Sequence, residues 1–473
     1  MNDDNAAGPQ AAARNRQSPP PSSRKAVWGW ALYDWANSAF ATCVMAGFFP
    51  LFFKSFWSAG VDVNVSTARL AIGNATAGVL VAVCAPVLGA IADRGGIRKR
   101  MLVAFAYFGA TMTAALYAVD RGQWILAIGF YVAASVGFAG ANIFYDALLP
   151  SVADEKAIDR VSGFGYAMGY LGGGLLFLGS VLMTLYPRQF GLAGAGDAVR
   201  LSLLAVAAWW GGFTLFTLAW VPESRGVGRS RGFSEALRGA MRQTLATVGK
   251  IRRLKTLALF LVAYWLYIDG VDTVIRMAVD YGLSLGLDAN HLIVALLIVQ
   301  FVGFPAALAF GILGQRWGVK RSLFLGIAVY TAVCLWATQM SNSAEFTILA
   351  VMIGLTQGGI QALSRSYYAR FIPENMSGEF YGFYNMLGKF AAILGPLLMG
   401  VVALAARMLL MPPGATPEAA ASVGQLASRI SIGAVTILFV LGAACLCLVD
   451  EDRGRREAVA FAKQGEDRNS SQN

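Results

Sequence analysis

Long apolar runs, separated by short polar and mostly basic stretches, fill the chain from residue 28 to residue 449. Each run holds roughly 18 to 26 residues, which at about 1.5 Å per residue is enough to cross a hydrocarbon core of about 30 Å. The runs are continuously apolar rather than alternating, so they predict membrane helices and not the strands of a barrel. Twelve spans are predicted, near 28–53, 70–92, 101–119, 124–149, 163–186, 200–221, 257–281, 290–313, 322–340, 346–369, 380–405 and 429–449. Ahead of them, residues 1–26 are polar and Pro/Ser-rich (Ser18-Pro19-Pro20-Pro21-Ser22-Ser23), which predicts a disordered tail. That segment has no apolar core and so does not read as a cleavable signal peptide.

Composition narrows the class. Of 473 residues, 57% are hydrophobic and only 14% charged, against about 25% charged in soluble domains. A soluble multidomain enzyme is excluded, because so few charges cannot cover its surface. The net charge of +11 comes from Lys and Arg in the loops. If the N-terminus is cytoplasmic, the inner segments carry 28 of these residues and the outer loops seven. That bias predicts both termini inside and a basic membrane-facing surface rather than nucleic-acid binding; the membrane expected is a bacterial inner one. The five cysteines all fall in apolar runs, and the single His291 offers no second imidazole. Neither a disulfide framework nor a metal site is expected.

A basic inner loop divides the spans six and six, and each half repeats part of the other. The second span ends in Gly89-Ala-Ile-Ala-Asp93-Arg94-Gly-Gly96-Ile-Arg98-Lys99, and the eighth in Gly311-Ile-Leu-Gly-Gln315-Arg316-Trp-Gly318-Val-Lys320-Arg321. Tyr33-Asp34 in the first span is echoed by Tyr267-Ile-Asp269 in the seventh, and Pro150 by Pro373. The expected organisation is a cytoplasmic tail at 1–26, a bundle at 27–222, a cytoplasmic linker at 223–256, a second bundle at 257–450 and a cytoplasmic tail at 451–473.

The segment Gly89–Lys99 resembles the loop signature of the major facilitator superfamily, G-x-x-x-D-R-x-G-x-R-[RK]. The resemblance implies an all-α polytopic fold of twelve transmembrane helices in two six-helix bundles. It also implies that Gly89, Asp93, Arg94, Gly96 and Arg98 form a gating motif, with Asp93 facing the N-terminal end of the eleventh helix, where the dipole favours a carboxylate. In the second copy Gln315 stands where the acid would be, so a weak or absent latch is expected there. Three further stretches resemble the unknown major facilitator family, relatives of the autophagy-linked vacuolar amino-acid effluxers. They are Tyr33-Asp34-Trp35-Ala36-Asn37-Ser38-Ala39, Ser162-Gly163-Phe164-Gly165-Tyr166-Ala167-Met168-Gly169-Tyr170 after Leu149-Pro150, and Gln357-Gly358-Gly359-Ile360-Gln361-Ala362-Leu363-Ser364-Arg365-Ser366. Amino-acid efflux is what this resemblance implies.

Ionisable groups inside spans are functional suspects because hydrocarbon penalises them. Asp269, Asp272, Arg276 and Asp280 share one stripe about 80° wide on a helix; the plainer reading makes Asp272–Arg276 and Arg276–Asp280 internal ion pairs. Asp34 with Asn37 and Ser38 occupies one turn of the first span, either handling substrate or proton or anchoring that helix to a neighbour. Asp146, near Asn142 and Tyr145, serves a site or reaches the interface. Gln357, Gln361 and Arg365 descend one face at i,i+4 steps, and the arginine suits either a substrate carboxylate or an inner-gate salt bridge. Lys389 neutralises an acid or binds an anion. Gly165, Gly169, Gly173, Gly388 and Gly395 predict close helix packing. The spans also hold Tyr166 and Tyr170, which either line a cavity or pack.

The function expected is secondary active transport of a small solute by alternating access, coupled to protons through Asp34 or Asp269. Amino acids or small peptides are the expected substrate, since Asp and Arg together suit a zwitterion. The chain has no Walker, HExxH or GxSxG sequence, so ATP drive, a cofactor, a metal and a catalytic centre are not expected. A monomer is expected, with the solute, protons and membrane lipids as partners. An exporter of lipids or amphipathic drugs, and a non-transporting receptor, are the alternatives.

Overall fold

The computed structural model describes residues 23–60, 69, 73, 76–81, 84, 88, 96–154, 156–223, 249–287, 289–373, 376–411 and 416–470. Among them every regular element is helical: α1 (Arg24–Ala39), α2 (Arg98–Ala115), α3 (Trp124–Val152), α4 (Ile158–Leu185), α5 (Ala195–Trp220), α6 (Lys255–Ser284), α7 (Ala289–Trp317), α8 (Val319–Ala337), α9 (Ser343–Ala369), α10 (Ser377–Leu410), α11 (Pro417–Ala434), α12 (Thr436–Cys447) and α13 (Glu451–Ser470). Nine helical stretches among the described residues are long and apolar enough to cross a membrane. The protein is an integral membrane protein. Most of the predicted second span, 70–92, and most of the 223–256 linker lie outside the described residues.

The first predicted span is one rod of mixed register. α1 passes into an i→i+5 stretch, Phe40–Phe48, then a short turn, Phe49–Phe52, and a second i→i+5 stretch, Phe53–Trp57. Pro50 sits between them. Proline has no N–H and its ring crowds the i−4 carbonyl, and widened register on either side accommodates it. The last predicted span is broken at Val435 into α11 and α12. The segment expected as a C-terminal tail begins as helix α13.

Two large buried apolar clusters form the interior. One is built from residues between Ala26 and Val221, the other from residues between Ile251 and Val449, joined by Ala147. A small third cluster, Ala167, Tyr170 and Ala307, lies where α4 meets α7. Glycine sets that seam. A Cβ at Gly163 would lie 2.7 Å from the Ala307 carbonyl, and one at Gly303 would lie 2.8 Å from the Tyr170 ring. The two backbones approach as closely as small residues allow.

Candidate functional site

Arg365 is the hub. It lies near the end of α9 with 2% of its surface exposed, and helix periodicity places Gln361 and Gln357 above it, both half-buried. Its Nη1 donates to Asp146 Oδ1 of α3 at 3.1 Å. Its Nε and Nη2 grip Ser162 of α4, donating to Oγ and to the carbonyl oxygen, each at 3.0 Å. The Ser162 hydroxyl turns its own proton to the Ala362 carbonyl at 2.8 Å. The guanidinium is boxed by three rings, with centroids of Trp30, Tyr145 and Tyr166 at 4.8, 5.2 and 4.5 Å. Flat aromatic faces accept a desolvated cation well, and a guanidinium fork fits two acceptors on one residue where an ammonium would not.

The network continues outward from both ends of this pair. Asn385 of α10 donates to the second oxygen of Asp146 at 3.0 Å, and the Tyr381 hydroxyl donates to the Arg365 carbonyl at 3.0 Å. On α1, Asp34 accepts from the Tyr145 hydroxyl at 3.1 Å and from Ser38 at 3.3 Å. Asn37 donates to Asn142. Trp30 stacks on Tyr145 at 4.3 Å and donates its indole N–H to the Tyr145 carbonyl at 2.8 Å. Close approach of α4 makes this possible, since a Cβ at Gly169 would sit 2.6 Å from Ser38 Oγ and 3.0 Å from Asp34 Oδ1. Asp34, Asn37, Asp146, Gln361 and Arg365 therefore belong to one neighbourhood.

Other predicted residues fall elsewhere. Asp269 is buried in the seam of α6 and α10, where Oδ1 accepts the Gly395 backbone N–H at 2.9 Å. Asp272 is half-buried and engaged, and Arg276 is exposed. Gly89, Asp93 and Arg94, and the side chains of Asp280 and Lys389, lie outside the described residues. Gly96 takes a positive φ of 59°, a conformation open to glycine and costly to others, and it leads into Arg98, which is buried at the start of α2. Gln315, which stands where the acid would be in the second copy, donates its side-chain amide to the Lys156 carbonyl. A neutral amide can make that bond without a dipole-facing carboxylate.

Several polar contacts were not expected from the sequence. Arg370, just past α9, pairs with Asp159 of α4 and, at 2.7 Å, with Glu451 of α13. Glu379, buried in the first turn of α10, pairs with Lys250 at 3.1 Å. Glu223 accepts from the backbone N–H groups of Lys99 and Arg100 at 2.8 and 3.3 Å, a carboxylate on the positive end of α2. Charges near span ends look like ordinary loop residues in sequence, so nothing marked Asp159, Arg370 or Glu451. Ser162 was visible only inside a signature, and Trp30 not at all. Among the described residues no cluster of His, Cys, Asp or Glu is placed to hold a metal, and all five cysteines are unbridged.

A sequence model of the family described as "Vacuole effluxer Atg22 like" matches residues 22–68 and 57–407. An uncharacterized MFS-type transporter of Bacillus subtilis (strain 168), YxiO, is 37% identical over 89% of this chain and 94% of its own length. Autophagy-related protein 22 of Coccidioides immitis (strain RS) is 22% identical over 94% of this chain and 89% of its own. Among solved structures, the human organic anion transporter MFSD10 (TETRAN) superposes with a TM-score of 0.66 at 16% identity, covering 90% of this chain and all of that one. The proton:xylose symporter XylE superposes with a TM-score of 0.65 at 14% identity, over 92% and 97%.

Proposed function

The chain belongs to the Vacuole effluxer Atg22 like family of major facilitator transporters, and from that premise we propose that it is a secondary active carrier whose two halves, 27–222 and 257–450, alternate access to a central site. A transporter, not an enzyme, is what its relatives are. One observation carries the finer reading. The Arg365 guanidinium is nearly sealed from solvent, yet every side chain that grips it, Asp146, Ser162 and the three rings, belongs to the other half. A buried ion pair contributes little to stability beyond a well-packed apolar substitute. Placed across the junction of two separately packed cores, it serves as a lock that opens and closes.

When the halves part at this level, Arg365 loses its carboxylate, and a solute carboxylate is the chemical replacement for Asp146. Asp34, with tyrosine and serine hydroxyls on its oxygens, supplies the opposite charge for an ammonium group. An amino acid or small peptide carries both. Efflux accords with the family's description as an effluxer. Coupling to protons rests on the aspartates within the spans, cytoplasmic termini on the loop charges, and a bacterial inner membrane on the likeness to the Bacillus subtilis relative.

Counterflow in proteoliposomes tests this reading, with labelled amino acids, dipeptides and sugars at two internal pH values. Saturable amino-acid or peptide exchange that is lost in Arg365→Ala is expected. Flux of amphiphiles alone would turn the reading to a lipid or drug exporter, and a folded chain that moves no solute would turn it to a receptor.

A further inference from the structure

One membrane carboxylate stands apart from the Arg365 network. Asp269 lies within α6 with 1% of its surface exposed. Its Oδ1 accepts the Gly395 N–H at 2.9 Å and faces Thr273 Oγ at 3.4 Å, while that hydroxyl gives its proton to the Asp269 carbonyl at 2.6 Å. Its Oδ2 is buried and has no hydrogen-bond partner among the described residues. Asp146 differs, with arginine on one oxygen and an amide on the other. So does Asp34, with a tyrosine and a serine. Among the described residues the hydrogen bonds to the Asp269 carboxylate fall on one oxygen and none falls on the other.

An ionised carboxylate with a bare oxygen in hydrocarbon is heavily disfavoured, whereas a neutral acid with an unpartnered O–H is far more tolerable. Protonation on Oδ2 leaves Oδ1 as the carbonyl-type acceptor that Gly395 needs. We propose that Asp269 is a proton-binding site, its Oδ2 bearing the proton while the seam of α6 and α10 is closed as seen here. The seam is tight enough to control exchange: a Cβ at Gly395 would collide with Thr273 Oγ and sit 2.9 Å from Asp269 Oδ1. Release of the proton requires water to reach Oδ2, and hence α6 and α10 to separate. One proton adds from water and leaves to water; no bond between heavy atoms changes and no electron moves.

The charged surroundings are these. On α6, Asp272 is half-buried and Arg276 exposed, and the Asp280 side chain is undescribed. On α10, Glu379 is paired with Lys250 at the helix start, the Lys389 side chain is undescribed, and Arg407 lies in the last turn. On α9, Arg365 is held by Asp146, and Glu345 sits in the first turn with Ser341 and Asn342. On α11, Glu418 is in the first turn and Arg429 donates to the Thr338 carbonyl. On α13, Glu457 caps α6 at the Thr256 N–H. The α12 sequence has no charged residue, and Lys320 and Arg321 stand at the start of α8. On α7, Arg316 is in the last turn and His291 near the start.

The proposal deepens the transport reading, and rests on it only for the later use of the proton. The test uses the full chain in lipid nanodiscs, treated with an apolar carbodiimide, which reacts with protonated carboxyls, and mapped by mass spectrometry. Infrared spectra of wild type and Asp269→Asn give a second readout. Expected are an adduct on Asp269 that disappears in alkaline buffer, and loss of one carboxyl's worth of protonated C=O intensity in Asp269→Asn. No adduct at Asp269 at any pH at which the fold is intact, or an undiminished infrared band, overturns it. If the variant does not fold, the wild-type adduct decides alone. Neither readout needs a solute, so a labelled chain that transports nothing sinks only the transport reading. A transporting chain with Asp269 unlabelled sinks only this one.

Discussion

Arg365 makes its contacts through shape as much as charge. Its fork spans Ser162 and Asp146 while its plane meets three rings, and lysine offers neither geometry. Arg365→Lys should therefore keep the charge yet lower counterflow at least tenfold, with expression little changed. Asp146→Ala leaves an uncompensated buried arginine and should destabilise by about 3–5 kcal/mol, read as a lower thermal midpoint in detergent. Adding Arg365→Met should recover most of that stability without recovering flux; a double variant as unstable as the single one would mean the pair is not a unit. Gly169→Ala forces a methyl against Ser38 and Asp34 and should cost about 1–3 kcal/mol, with transport falling further than stability alone explains.

Among the elements, α13 carries the clearest consequence. It supplies Glu451 to Arg370, and Glu457 to the Thr256 N–H at the start of α6, at 3.0 Å. Glycine at 454 lets it lie close, since a Cβ there would be 2.6 Å from the Phe371 ring. Ending the chain after Asp450 removes an ion-pair partner from a mostly buried arginine and uncaps a helix. A loss of about 1–3 kcal/mol is expected, measured by thermal unfolding against the full chain. An unchanged midpoint would show α13 to be a passive appendage. The mixed register of α1 through Trp57 makes a different statement: a proline inside a membrane rod is absorbed by local widening of the helix and not by a break.

For the whole molecule, polar contacts between the two cores gather at one level. Arg365–Asp146, Arg370–Asp159, the Gln315 bond to Lys156 and the Ser377 bond to the Ala147 carbonyl all join α3, α4 or the loop between them to the second half. These contacts should act together as the closed gate of that end. Ser377 is fully buried behind them, so it reports on opening. In a Ser377→Cys chain, combining Asp146→Asn with Asp159→Asn should raise labelling by a membrane-impermeant thiol reagent well above either change alone. Equal labelling in all of these chains would mean the pairs do not gate access.

The sequence by itself determined the all-helical membrane class and most of the described membrane helices, but not α13, which it made a tail. Apolar length and low charge content leave a membrane chain few alternatives, because backbone groups in hydrocarbon must bond within their own segment. It also marked Asp34, Asp146 and Arg365 as costly in place, since a charge inside a span is visible without knowing its neighbours. Which charge meets which was decided only by the tertiary structure. Asp269 and Arg365 looked alike in sequence, yet one is tucked beside a glycine backbone and the other bridges the cores. Asp159, Arg370 and Glu451 carried no signal, because a charge at a span end is ordinary until another helix is packed against it. Pairing depends on crossing positions of helices far apart in the chain, and hydrophobic pattern marks where a membrane helix can run but not its partners.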